Sequence, residues 1–237
     1  PSPGSGLTCP GDEFVVFAPY FPEYKVFVES AGAQLVAVPA RLEDFQIDFA
    51  ALEAALSPQV KGVIINSPNN PTGVVYSQET IRRLAQMLGE KSRAYGHPIW
   101  LISDEPYREI VYQTAPLPWV PDFYDNTLVC YSYSKSLSLP GQRIGYVLVP
   151  PQAEEADLVY AAICGAGRAL GYVCAPKPII QCLTKLHQFG IMSAPTVSQY
   201  AAIEAMRNGD RDIEHMREEY DRRRRYLAEN LNRIGLS

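Results

Sequence analysis

Short apolar runs rich in β-branched residues alternate along this chain with stretches of helical spacing. The runs are EFVVFAP (13–19), AQLVAVPA (33–40), VKGVIINSP (60–68), PIWLISDEPY (98–107), TLVCYSYS (127–134) and RIGYVLVP (143–150). Between them, FAALEAALS (49–57) and SQETIRRLAQMLGEKSRAYG (77–96) repeat apolar residues at helical intervals. Ser77 reads as the N-cap of the second helix and Gly96 as its stop. Runs that are apolar on both faces and separated by helices belong to sheets covered on both sides. The pattern therefore predicts an α/β fold, a three-layer α/β/α sandwich around a mostly parallel sheet.

Composition removes several other classes. The net charge of -5 gives no general attraction to nucleic acid or to an anionic membrane. The five cysteines are odd in number, and no C-x-x-C pair occurs, so neither a disulfide framework nor a metal site is expected. A reducing cytoplasm fits that usage. No apolar run is long enough for a membrane span. The arginines Arg222 to Arg225 read as one solvated helix face in an acidic chain, not as a nucleic-acid patch.

In open parallel sheets, ligands bind beyond the carboxyl ends of the strands. The polar residues of this chain collect at those ends: Asn66 to Asn70, Asp104 to Tyr107, and Ser132 to Lys135. Each cluster alone has an ordinary reading. Asn-Asn-Pro-Thr-Gly is turn chemistry. Asp104 and Glu105 could close a strand in solvent, Lys135 could be a surface lysine, and Arg143 a salt-bridge partner. Their succession on consecutive strands is what a purely structural sheet has no need of.

SPNNPTG, SDEPY and SYSK followed by R-I-G, in that order, resemble the class I and II aminotransferases, pyridoxal-phosphate enzymes of fold type I. PGDEFVVFAPYFPEY, further upstream, resembles the same family. The resemblance implies that Lys135 is the lysine that holds pyridoxal phosphate covalently and moves a proton during the reaction. It implies that Asp104 pairs with the pyridine nitrogen and keeps the ring an electron sink. Tyr107 and Asn70 match the groups that hydrogen-bond the ring's 3′ oxygen. Ser132, Ser134 and Arg143 match contacts to the phosphate, for which a planar guanidinium is well suited. Phe21 stands where the family places an aromatic ring against the pyridine face, and a core phenylalanine accounts for it equally well.

The same resemblance sets expectations for organisation. Residues 1–208 correspond to the cofactor-binding large domain without its N-terminal part, and 209–237 to a connecting helix toward an absent small domain. PSPGSGLTC does not match the family's phosphate-binding helix start. The stretch 212–237 reads as one amphipathic helix with Ile213, Met216, Tyr220, Leu227, Leu231 and Ile234 on a stripe. RIGYVLVPPQ (143–152) and ALGYVCAPKP (169–178) echo each other, as in a variant with an insertion over 151–175 or a hybrid of two relatives. APTVSQ (194–199) resembles the family loop near the site and the dimer interface. The implied activity is transfer of an amino group from an α-amino acid to a 2-oxo acid, in a cytoplasmic homodimer, with little turnover by this chain alone. The alternatives are another fold type I activity such as a β-lyase, or a non-catalytic fragment or effector-sensing domain. Nothing resembles a helix-turn-helix, which disfavours a regulator.

Overall fold

The computed structural model describes residues 9–112, 117–142, 145–166, 171–172 and 196–233. Five parallel strands come first: β1 (Glu13–Ala18), β2 (Gln34–Pro39), β3 (Val60–Asn66), β4 (Trp100–Asp104) and β5 (Thr127–Ser132). Strand β6 (Gly145–Leu148) returns antiparallel beside β5, and the short β7 (Gly171–Tyr172) pairs parallel with β6. The order across the sheet is β2-β1-β3-β4-β5-β6-β7.

Alternate residues of each strand feed opposite cores, as a period of two requires. Val15 and Phe17 of β1, Val63 and Ile65 of β3, and Leu101 of β4 pack under α2 (Phe49–Ala55) and α3 (Gln78–Tyr95). Phe14 and Val16 of β1 and Ile64 of β3 face α1 (Glu23–Ser30) with its Tyr24 and Val28. Trp100 and Leu128 face α5 (Ala156–Ala166) through Val159 and Tyr160. Helices on both faces of a mostly parallel sheet make the three-layer arrangement that the alternation predicts.

Local chemistry sets the helix ends. The Ser77 hydroxyl accepts the N–H of Thr80, and Gly96 closes α3 with a left-handed φ of 71°. Asp48 caps α2 by accepting from the N–H groups of Ala50 and Ala51. Two differences from the sequence reading concern the strand edge. The run 127–134 ends as a strand at Ser132, because the Ser132 hydroxyl accepts the N–H of Ser134 and starts the short helix α4 (Tyr133–Ser136). The run 98–107 likewise ends as a strand at Asp104. Helix α1 lacked a sequence signal.

Beyond α6 (Thr196–Asn208), α7 (Asp210–Arg233) carries the expected amphipathic stripe. Ile213, Met216 and Tyr220 are half-buried, while Leu227 and Leu231 are exposed. Its arginines are neutralised along the helix: Arg222 and Arg223 pair with Glu219, and Arg224 and Arg225 with Asp221. Ile234 lies outside the described residues, as do most of 169–178 and the start of APTVSQ. No described helix is long and apolar enough to cross a membrane.

Candidate active site

Parallel register brings the carboxyl ends of β3, β4 and β5 to one edge. Asn66 lies opposite Asp104, and Asp104 lies opposite Cys130, two residues before Ser132. The side chain of Asn66, buried at the end of β3, ties the edge together. Its amide donates to the carbonyl of Asp104 at 2.8 Å, and its amide oxygen accepts the N–H of Asn70 at 2.6 Å. The Asn-Asn-Pro-Thr-Gly turn is thus fastened to β4. Asn69 adds bonds to the Pro19 carbonyl (3.1 Å) and the Thr72 hydroxyl (2.8 Å), and Gly73 supplies the left-handed φ of 72° that closes the turn.

The turn presents Asn70 to Tyr107, with the amide nitrogen 3.4 Å from the phenol oxygen. Burial raises the Tyr107 pKa, and the hydrogen bond from Asn70 opposes that rise. On the other side of the edge, the Lys135 Nζ stands 5.8 Å from the centroid of the Tyr107 ring. Lys135 itself is exposed at the surface of α4. Ser132 donates to the Ser134 hydroxyl at 2.8 Å, so both hydroxyls sit at the start of that helix. An open cleft of about 470 Å³ adjoins the site, lined by Asn70, Pro71, Tyr107, Ile110, Val111 and Tyr112 among others.

Asp104 closes the centre of the edge. Tyr24 on α1 donates its phenol proton to the Asp104 carboxylate. Burial holds the Asp104 pKa above the usual carboxylate range, and the Tyr24 hydrogen bond pulls against it. The neighbouring Cys130 thiol is pushed up to about 12, first by burial and then by the Asp104 charge. Phe21 meets the Tyr24 ring edge-on, with centroids 5.5 Å apart.

Of the residues singled out in the sequence, Asn70, Tyr107 and Lys135 therefore meet around one phenol. Asp104 lies on the same sheet edge, Ser132 and Ser134 at the start of the lysine's helix, and Phe21 beside the tyrosine that holds Asp104. Arg143 lies outside the described residues; β6 begins at Gly145, which lies opposite Ser132. Sequence reasoning placed Asn66 in the polar cluster at the end of its strand but gave it no role of its own, and it missed Tyr24. Tyr24 had no signal, because its partner is 80 positions away.

A mostly parallel sheet, helices on both faces and a polar carboxyl edge at β3, β4 and β5 define the large domain of a pyridoxal-phosphate-dependent transferase fold. Aminotransferase class I and II is the family that matches, over residues 5–237. The chain belongs to that family, whose members use pyridoxal phosphate. It is 52% identical to an aminotransferase of Eubacterium rectale of known crystal structure, with a TM-score of 0.74, covering 97% of this chain and 52% of that one. The aspartate aminotransferase of Thermus thermophilus solved with maleate gives a TM-score of 0.73 at 29% identity, over 98% of this chain and 54% of that one. The aspartate/prephenate aminotransferase of Thermus thermophilus is 31% identical over 231 residues, 96% of this chain and 52% of the relative. The chain thus spans about half the length of the relatives it matches.

Proposed function

We propose that this chain is the large-domain portion of an enzyme that transfers an amino group from an α-amino acid to a 2-oxo acid with pyridoxal 5′-phosphate. The observation that carries the reading is the meeting of Asn70 and Lys135 on either side of Tyr107, on the sheet edge that also holds Asp104. The donor set suits the cofactor. Its pyridine nitrogen wants a carboxylate, its 3′ oxygen wants donors, its phosphate wants hydroxyls, and its aldehyde wants an amine.

In this reading Asp104 would pair with the ring nitrogen, and the Tyr24 hydrogen bond would orient that carboxylate and favour its charged form against burial. Tyr107 and Asn70 hold the 3′ oxygen, Ser132 and Ser134 hold the phosphate together with Arg143, and Phe21 borders the ring. The cofactor, when bound, supplies an electron sink for charge developing at the substrate's Cα. Lys135 would hold it covalently through its amine and would be the group placed to carry the proton that leaves the substrate's Cα. The division at 208/209, a cytoplasmic setting and a homodimer that completes the site belong to the same proposal, as does low turnover by the chain alone. Positioning and exclusion of water by the rest of such an enzyme can contribute ~7–11 kcal/mol to lowering a barrier.

Borohydride reduction of the chain with pyridoxal phosphate, followed by peptide mapping, tests the reading. Modification at Lys135 is expected. Modification confined to Lys25, Lys61, Lys91, Lys177 or Lys185 would remove the assignment. Conversion of the bound cofactor to its amine form by an amino acid, with release of the 2-oxo acid, separates transamination from a β-lyase.

A further inference from the structure

We propose that Tyr131 is a positioning residue for Lys135, acting through a hydroxyl bridge that joins the two limbs of the site. The inference rests on the cofactor reading above for its consequence, but its geometry is independent of it. Tyr131 lies on β5 and is buried. Its phenol oxygen is 2.7 Å from the Glu109 carboxylate, to which it donates, and 2.7 Å from the Ser136 hydroxyl, from which it accepts.

Ser136 is fully buried and is the residue next to Lys135 on α4. That helix has only 4 residues. A helix this short has little stability of its own, so its orientation comes from tertiary contacts. Lys135 is exposed, and where its amine can reach is set by the backbone of α4. Glu109 stands on the other limb, two residues beyond Tyr107 on the segment that follows Asp104. The bridge Glu109–Tyr131–Ser136 therefore fixes the lysine's helix against the segment that carries Tyr107. The Tyr131 ring has little freedom to swing away. It stacks on Tyr146 with centroids 5.0 Å apart and meets Tyr133 edge-on at 5.1 Å. Burial and the Glu109 carboxylate both raise the phenol's pKa, with Ser136 opposing, so Tyr131 stays a donor through the neutral range.

The test compares Tyr131→Phe, which keeps the ring and removes the hydroxyl, with Ser136→Ala, which cuts the bridge from its other end. Two readouts are taken on the whole chain. One is the rate at which Lys135 is trapped by borohydride in the presence of pyridoxal phosphate. The other, without cofactor, is the rate of acetylation of Lys135 by acetic anhydride relative to Lys61, read by peptide mass spectrometry. Both variants are expected to slow trapping and to shift the acetylation ratio by roughly threefold to tenfold, about the factor one net hydrogen bond commands. Glu109→Gln, which retains an acceptor for the phenol, is expected to restore both readouts relative to Glu109→Ala. A bridge that only supports the fold would lower the melting temperature of each variant and leave both Lys135 readouts unchanged, and that result overturns the proposal. If Tyr131→Phe does not fold, Ser136→Ala and the Glu109 pair decide the same question. If wild-type Lys135 is never trapped, the cofactor reading fails, while the acetylation ratio still decides whether Tyr131 positions the lysine.

Discussion

The phenol of Tyr24, on α1, donates a hydrogen bond to the carboxylate of Asp104 at the end of β4. The two residues are 80 positions apart and belong to different layers of the sandwich. The bond favours the charged form of a carboxyl that burial otherwise drives toward neutrality. Tyr24→Phe keeps the ring's packing on Phe21 and removes the donor. A hydrogen bond to a charged group contributes ~1.5–3 kcal/mol, and ~1.4 kcal/mol is a factor of ten. Affinity for pyridoxal phosphate is therefore expected to fall about tenfold or more in a spectroscopic titration. An unchanged affinity would show that Asp104 does not depend on Tyr24.

Asp104 should also cost the fold stability at neutral pH. Its folded pKa lies above the unfolded one, so the folded chain holds that proton more tightly. The carboxyl's contribution to stability is then full below the ordinary carboxylate pKa and is lost as pH rises through the raised folded value. Asp104→Asn removes the charge and keeps an acceptor for Tyr24. The cofactor-free variant is expected to melt higher than wild type at about pH 8, with the gain shrinking toward about pH 4. A variant that melts lower at both pH values would mean that the charged carboxylate is stabilised where it sits.

The layers were legible because β1 to β6 lie within apolar runs that carry β-branched residues, and because α2 and α3 sit between such runs; β7, only Gly171–Tyr172, was not read as a strand. Helix α1 was not. Its sequence EYKVFVES buries only Tyr24 and Val28, leaves Val26 and Phe27 exposed, and begins without a side-chain cap. Tertiary packing against Phe14, Val16 and Ile64 holds it, and no local signal reports that packing. The same limit applies at the site. Asn70, Asp104, Tyr107 and Lys135 were legible as a motif in sequence order. Tyr24 and Tyr131 act through phenol tips whose partners lie elsewhere in the chain, and a buried tyrosine in an apolar run reads simply as core. Ser132 hid the end of β5, because a serine that caps a short helix looks, in sequence, like one more alternating strand residue.

Gly145 is required where β6 returns beside β5. A Cβ there would collide with the carbonyl oxygen of Tyr131, next to the residue it opposes, Ser132. The obstacle is strand backbone, which cannot turn aside as a side chain would. Gly145→Ala is expected to destabilise the chain by ~1–3 kcal/mol, the usual cost of overpacking. It should lower the denaturation midpoint without changing the m-value. It should also slow the borohydride trapping of Lys135, since Tyr131 and α4 would be pushed together. A stability equal to wild type would mean that β6 has room to move away from β5.

Glu105 and Arg108 allow a sharper test, because the ion pair is buried on one side only. Glu105 is 2% exposed and accepts from Ser103 at 2.8 Å and from Arg108 at 2.7 Å. Arg108 also donates to the carbonyls of Pro118 (3.2 Å) and Leu117 (3.3 Å), and its guanidinium lies 5.2 Å from the centroid of the Trp119 ring. It thereby pins residues 117–119 to the segment that carries Tyr107. Burial raises the Glu105 pKa, and the Arg108 charge is the largest influence against that rise. Arg108→Met leaves a carboxylate inside without its cation. Breaking a buried pair in this way costs ~3–5 kcal/mol, and the lower end applies because Arg108 keeps 26% of its side chain in solvent. The loss should diminish as pH falls, because a protonated Glu105 no longer needs the guanidinium. Arg108→Met combined with Glu105→Gln removes both charges and should recover most of the stability, while the freed carbonyls of 117 and 118 keep the recovery incomplete. Urea denaturation of the two variants at neutral and mildly acidic pH measures both effects. If the double variant is no more stable than Arg108→Met alone, the cost lies in releasing the 117–119 segment and not in the buried charge.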